Sequence, residues 1–249
     1  MTARVTFDFT GTTVLVTGAT SGIGYATATL FRDAGADVVI TGTKPDSASY
    51  DTDLTGMHYR QLRLDDHQSI DDFIPSVERL DILINNAGAN FPGGLDESTP
   101  TGFDASVALN LTATYRLTVG MRKVLGQSTA AGGACVVNLA SMSALRAVTV
   151  VPGYSAAKAG IISMTRLLAV KWAAQPIRVN AVAPGAIDTP MTAPAKEVPQ
   201  IVNAEIAHIP AGRFGRVNEI APTIAFLCTE HSSYTSGALF IVDGASDCL

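Results

Sequence analysis

The sequence predicts an α/β protein: a parallel sheet covered by helices on both faces. Three observations carry that expectation. Seven short apolar runs punctuate the chain, each with the length and character of a strand buried on both sides. Helical or irregular stretches separate most of them, as the crossovers between parallel strands require. The first run leads directly into a glycine-rich turn and a helix, with a second run a few residues on, which is a βαβ unit.

Taken in order, residues 13–17 (TVLVT) are the first strand, and the turn after them holds Gly18, Gly22 and Gly24. A helical pattern over 25–32 stops near Gly35, and 38–41 is the second strand. Residues 42–57 are polar and fit no helix. Residues 58–64 form the third strand, ending at Asp65-Asp66. Ser69, with Asp72 three residues on, reads as the N-cap of a short helix that Pro75 at most kinks. Residues 81–84 are the fourth strand and run into Asn85-Asn86-Ala87-Gly88. After a Gly/Pro loop, a helix spans about Gly102 to Leu125, residues 134–139 are the fifth strand, and Ser141 follows closely. The helix after Pro152-Gly153 runs to Trp172, and strand 178–183 ends at Pro184-Gly185. Residues 186–212 are irregular, with four prolines and one short helical stretch, and read as a mobile lid. Asn218 caps a helix to about Cys228, and 238–242 is the last strand. No repeat, low-complexity run or linker marks a second domain, so one domain over 1–249 is expected.

Composition narrows the function. A 249-residue chain with 47% hydrophobic residues can bury a large core. Its net charge of −5 and its lack of Lys/Arg-rich runs argue against nucleic acid. No apolar run is long enough to span a bilayer, and Met1 to Phe9 lacks the apolar stretch of a signal peptide. Three widely spaced cysteines, Cys135, Cys228 and Cys248, form neither a zinc pattern nor a disulfide framework. The expected setting is reducing and cytoplasmic. The four histidines fall outside every motif, and no metal site is expected.

Two motifs carry chemistry. In the glycine turn, Gly18 allows a sharp exit from the strand, Gly22 lets backbone approach a pyrophosphate, and Gly24 lets helix and strand pack closely. The helix N-terminus behind it favours phosphate. The same glycines also suit an ordinary strand–helix turn, and the flanking strand and helix favour dinucleotide binding. On the helix after Pro152, Tyr154 and Lys158 are four apart and share a face. An ammonium there favours the phenolate and lowers the tyrosine pKa, so the phenol can exchange a proton with a substrate oxygen. Tyr-x-x-x-Lys also occurs on plain exposed helix faces, and it gains meaning only in company.

That company is present: the chain resembles the short-chain dehydrogenase/reductases from about Thr12 to Gly244. Thr17-Gly18-(x)3-Gly22-Ile23-Gly24, with Thr20 and Ser21 inside it, resembles the family's cofactor turn. Leu64-Asp65 resembles the adenine contact, and Asn86-Ala87-Gly88, after Asn85, the motif that steadies the sheet and lines the cofactor site. Asn110, Ser141, Tyr154 and Lys158 resemble the catalytic tetrad. Pro184-Gly185, with Ile187, Thr189 and Met191, resembles the nicotinamide-side segment. The resemblance implies a doubly wound Rossmann fold with seven strands in the order 3-2-1-4-5-6-7, a nicotinamide cofactor, and a homo-oligomer, tetramer or dimer. It also implies that Ser141 binds the substrate oxygen and that Asn110 holds a water relaying protons to Lys158. The chain departs from the pattern at 42–57, where many members carry a helix.

The cofactor choice turns on the end of the second strand. Gly42, Thr43 and Lys44 stand where an NAD enzyme usually places an acid. Lys44 is placed to pair with a 2′-phosphate, so NADP(H) is favoured, with NAD(H) open. Ser21 stands where a basic residue is usual. Phe91, Met142, Leu145, Val148, Val151, Ile187 and Met191 are expected to line an apolar substrate pocket with Ser141 and Tyr154. That suits a hydrophobic ketone or secondary alcohol. Only Arg146 and Lys196 offer themselves to an anionic one. The expected activity is NADPH-dependent carbonyl reduction; in overall layout the chain resembles the family's 3-oxoacyl-thioester reductases, and that resemblance implies 3-oxoacyl thioesters as one substrate class. NAD-dependent oxidation of a steroid-like or cyclic alcohol is the alternative, and a non-catalytic nucleotide sensor the remaining one.

Overall fold

A computed structural model describes residues 5–248. Its seven strands are β1 (Thr13–Val16), β2 (Asp37–Gly42), β3 (His58–Gln61), β4 (Ile82–Asn85), β5 (Ala134–Leu139), β6 (Ile177–Pro184) and β7 (Leu239–Val242). They form one parallel sheet in the order β3-β2-β1-β4-β5-β6-β7. Every residue of β1, β4, β5 and β6 is buried, because helices cover both faces and exclude water from alternate side chains alike. The strand order reverses between β1 and β4, and such a switch point opens a crevice at the strands' C-terminal ends.

The nine helices among the described residues are α1 (Gly22–Asp33), α2 (His67–Phe73), α3 (Pro100–Val107), α4 (Ala113–Gly120), α5 (Arg122–Leu125), α6 (Pro152–Trp172), α7 (Ala193–Lys196), α8 (Pro199–Ala207) and α9 (Val217–Leu227). One core layer packs Leu117, Met121, Ile161, Leu168 and Trp172 against one face of the sheet. The other packs Phe9, Phe31, Ile220 and Ile224 against the opposite face. A buried polar chain ties the centre together. Asn85 Nδ2 donates to Thr118 Oγ1 (2.7 Å) and Asn138 Oδ1 (2.8 Å), and Asn138 Nδ2 donates to Thr165 Oγ1 (2.9 Å). It joins β4 and β5 to α4 and α6.

Four expectations are corrected. Asp66, not Ser69, caps α2 by accepting from the Gln68 amide (2.9 Å), because the Ser69 hydroxyl already accepts from the Arg63 amide (3.0 Å). The long helix at 102–125 is divided by a π-helical stretch at Ala108–Thr112 and a break at Met121. Residues 186–212 hold two helices, α7 and α8, since Pro199 opens α8 at a first-turn position where proline costs nothing. Arg216, not Asn218, precedes α9, where the Glu219 carboxylate accepts from the Arg216 amide (2.7 Å). Between β2 and β3 there is only a 3₁₀ turn, Ser47–Ser49, capped by Asp46.

Candidate active site

A cavity of about 1160 Å³ runs along the C-terminal ends of the strands, from the β1 turn to α8. Gly18 has φ +62°, and a Cβ there would stand 2.8 Å from Ala87 Cα, so only glycine fits. The turn is held from behind. Thr17 Oγ1 accepts from the amides of Asn86 (3.1 Å) and Ala87 (3.0 Å), and Asn86 Nδ2 donates to the carbonyls of Thr17 and Gly18, both at 3.0 Å. Ser21, which precedes α1, makes no side-chain capping bond, so the first-turn amides of the helix are left for a phosphate. Gly18, Thr20, Ser21, Gly22 and Ile23 all face the cavity. Gly24 does not: it packs beneath the turn, where a Cβ would meet Gly18 O at 2.6 Å. These residues fit a dinucleotide pyrophosphate.

Beyond the turn, Thr43, Leu64 and Asp65 line one end, and Asn86, Ala87 and Gly88 the middle. Lys44 is not among the lining residues. Its Nζ donates to Ser49 O (2.5 Å) and lies 4.7 Å from the Tyr50 ring centroid. The cation that lines this end is Arg63, paired with Asp65 at 3.0 Å. Sequence reasoning missed it, together with Tyr50 and His67, which also line the cavity.

Tyr154 and Lys158, one turn apart on α6, line the central part with Ser141. Lys158 is buried, its Nζ donates to Leu139 O (2.6 Å), and it stands 5.3 Å from the Tyr154 ring centroid. Burial lowers the Lys158 pKa to about 8. Burial also pushes the Tyr154 phenol up to about 12; the Ser141 hydroxyl acts against that rise, and the Glu97 charge adds to it. Desolvation is thus the largest influence on the phenol in this structure. The Ser141 hydroxyl accepts from the Ser143 amide (3.1 Å). Asn110 is buried behind Gly88 in the π-helical stretch. Its Oδ1 accepts from the Ala89 amide (3.0 Å), and its Nδ2 donates to Ala89 O (2.9 Å) and Ser106 O (3.0 Å). The side chain expected to hold a water thus fixes the cavity wall at Ala89, and it does not line the cavity.

Pro184, Gly185, Ile187, Thr189 and Met191 line the remaining wall, with Met142, Val148 and Val151 opposite. Phe91 and Leu145 do not line it and are corrected. Phe91 has a left-handed backbone (φ 49°) and is 43% exposed. Leu145 ends the 3₁₀ turn after Ser141 and is 40% exposed, while the next residue, Arg146, lines the cavity. From the 186–212 segment α8 contributes Ile201, Val202 and Glu205, and Glu205 pairs with Arg146. The side chain of Lys196 lies outside the described residues.

A phosphate-ready turn at a switch point, with the half-buried Tyr154 and the buried Lys158 beside it, defines an oxidoreductase of the NAD(P)-dependent class acting on CH–OH and C=O groups. Comparison with known proteins gives its family. A family model described as Enoyl-(Acyl carrier protein) reductase matches residues 18–245. A 3-oxoacyl-(acyl-carrier-protein) reductase FabG from Thermotoga maritima is 34% identical over 243 residues, covering 94% of this chain and 97% of that one. An uncharacterized short-chain type dehydrogenase/reductase y4vI from Sinorhizobium fredii is also 34% identical, and there the chain spans only 43% of its length. The crystal structure of a putative 2-deoxy-d-gluconate 3-dehydrogenase from Agrobacterium tumefaciens with bound NADP superposes with a TM-score of 0.84 at 33% identity, covering 99% of this chain and 100% of that one. The chain belongs to the short-chain dehydrogenase/reductase family.

Proposed function

We propose that this protein is an NADP(H)-dependent carbonyl reductase of hydrophobic ketones, with 3-oxoacyl thioesters as the leading substrate class. The observation that carries the reading is the meeting, in one cavity, of the glycine turn, the Tyr154–Lys158–Ser141 group and an apolar wall. The nicotinamide, when bound, supplies or accepts the hydride. Tyr154, whose phenol is protonated at neutral pH with a pKa of about 12, gives its proton to the substrate oxygen in reduction. Ser141 hydrogen-bonds the same oxygen as charge develops there. Lys158, held by Leu139 O, keeps a positive charge beside the phenol. Met142, Val148, Val151, Ile187, Met191 and Ile201 make the wall that receives an apolar chain. Arg146 is already paired with Glu205, which disfavours an anionic substrate.

NADP is supported at the other end. Gly42 closes β2 against the side chains of Tyr50 and Thr20: a Cβ there would meet the Tyr50 hydroxyl and stand 2.8 Å from Thr20 Cγ2, so an acid at that position would need Tyr50 to shift. Thr43, Lys44 and Arg63 surround it, and a 2′-phosphate would draw both cations. The alternative, an NAD-dependent dehydrogenase of a steroid-like or cyclic alcohol, is favoured by the bond that holds Lys44 to Ser49 O. The assembly is proposed to be a homo-oligomer, tetramer or dimer, in a reducing cytoplasm that suits three free cysteines.

Fluorescence titration with NADPH and with NADH tests the cofactor. Tighter NADPH binding is expected, with Arg63→Ala and Lys44→Ala each weakening NADPH about tenfold and leaving NADH unchanged. Tighter NADH binding would contradict the assignment.

A further inference from the structure

Glu97 stands in the loop between β4 and α3, outside every motif above. It is 1% exposed, yet among the described residues no cation pairs with it. A buried carboxylate without a cation is costly unless its oxygens are hydrogen-bonded. Both are. Oε2 accepts from the backbone N–H of Tyr154 (2.7 Å), and Oε1 accepts from the backbone N–H of Phe91 (2.9 Å).

The two donors matter. Tyr154 is the third residue of α6, where backbone N–H groups have no partner within the helix. Val151, the residue before α6, makes no side-chain capping bond, so Glu97 does from a distant loop what an N-cap residue does locally, at the positive end of the helix dipole. The other donor, Phe91, holds a left-handed conformation that a bulky residue rarely adopts. Ala89 and Asn90, just before it, line the cavity. One carboxylate therefore joins the backbone of the reactive tyrosine to a strained turn beside the cavity wall.

We propose that Glu97 is a positioning residue for Tyr154, a carboxylate clamp that sets where the phenol stands relative to the wall at Ala89–Asn90. This rests on the reductase reading of Tyr154 given above. The clamp also has an electrostatic consequence. The groups facing the phenol are Lys158 from α6 itself, Ser141 from the loop after β5, and Glu97 from the loop before α3. Of these, Glu97 is the anion, and its charge opposes loss of the phenolic proton.

The test compares Glu97→Gln and Glu97→Asp in the full chain, with NADPH and ethyl acetoacetate as probes. Glutamine keeps the shape but removes the charge and turns an amide against one N–H donor. Aspartate keeps the charge but is one methylene too short to reach both donors. Glu97→Gln is expected to lower kcat about tenfold with NADPH affinity unchanged, and to move the alkaline fall of the reductive rate about one unit to lower pH. Glu97→Asp is expected to lower kcat while the pH profile stays in place. The ring-carbon NMR signal of Tyr154 in isotopically labelled protein, identified by its loss in Tyr154→Phe, reads the same titration without turnover and should move to lower pH in Glu97→Gln. If the wild type reduces no ketone, the functional reading fails and the NMR titration still decides the role of Glu97. An unmoved titration in Glu97→Gln, or kcat, NADPH affinity and thermal stability falling together, would overturn the proposal. If Glu97→Gln does not fold, an unchanged kcat in Glu97→Asp would overturn it.

Discussion

Lys158 is set against the stability of its own fold. It is a buried ammonium, with its pKa lowered from 10.5 to about 8 by burial. Between those values the unfolded chain binds more protons than the folded one, so stability rises with pH across that window, and below about 8 the full cost is present. The gap corresponds to about 3 kcal/mol, offset in Lys158→Met by the hydrogen bond lost to Leu139 O. Lys158→Met should therefore be inactive yet more stable than wild type by about 1–2 kcal/mol at neutral pH. That advantage should shrink as pH rises from 8 to 10.5, which urea unfolding at a series of pH values would measure. Single residues also mark where local reading stops. Tyr154 and Lys158 were legible because four residues on a helix share a face. Glu97 was not, because its partner lies 57 residues away and nothing near it in sequence signals the contact. Arg63 was missed for a similar reason: which loop cation faces the cavity depends on how the 42–57 segment folds back, and that segment occupies Lys44 with Ser49 O.

At the scale of elements, strands were more legible than caps. The runs in β1, β5 and β6 are buried on both faces, so their composition alone distinguishes them from their surroundings. The start of α2 was misplaced because Ser69 spends its hydroxyl on a tertiary partner. The helices of the 186–212 segment were undercounted because proline reads as a breaker, although α8 uses one as a first residue. The outer surfaces of α4 and α6 carry a prediction. Tyr115 and Val119 on α4, with Leu167 and Val170 on α6, are exposed apolar side chains, Val170 at 80%. Apolar side chains left in water on these helices suit contact with a second copy. Val170→Glu is expected to shift the light-scattering mass toward that of the 25.9 kDa monomer, and a wild type already monomeric would contradict the oligomer proposal.

For the whole molecule, topology does what no motif can do alone. The reversal of strand order between β1 and β4 brings the glycine turn, the Asn86-Ala87-Gly88 segment, Ser141 and the Tyr154 helix to one crevice, although they span more than half the chain. The order of motifs was readable, and with it the fold and the central residues of the cavity. The substrate wall was less so. Phe91 and Leu145 point elsewhere while α8 supplies Ile201 and Val202, because loop conformation rather than residue type decides which side chain faces inward. The central claim is that Tyr154 transfers the proton during NADPH-dependent reduction of a ketone in this cavity. The most direct measurement is the rate of NADPH oxidation with a 3-oxoacyl thioester, wild type against Tyr154→Phe, alongside NADPH affinity for both. The account predicts turnover by the wild type and a loss of about a thousandfold in kcat for Tyr154→Phe with NADPH affinity intact. A Tyr154→Phe protein that turns over like wild type, or a wild type that binds NADPH but reduces no ketone, would contradict it.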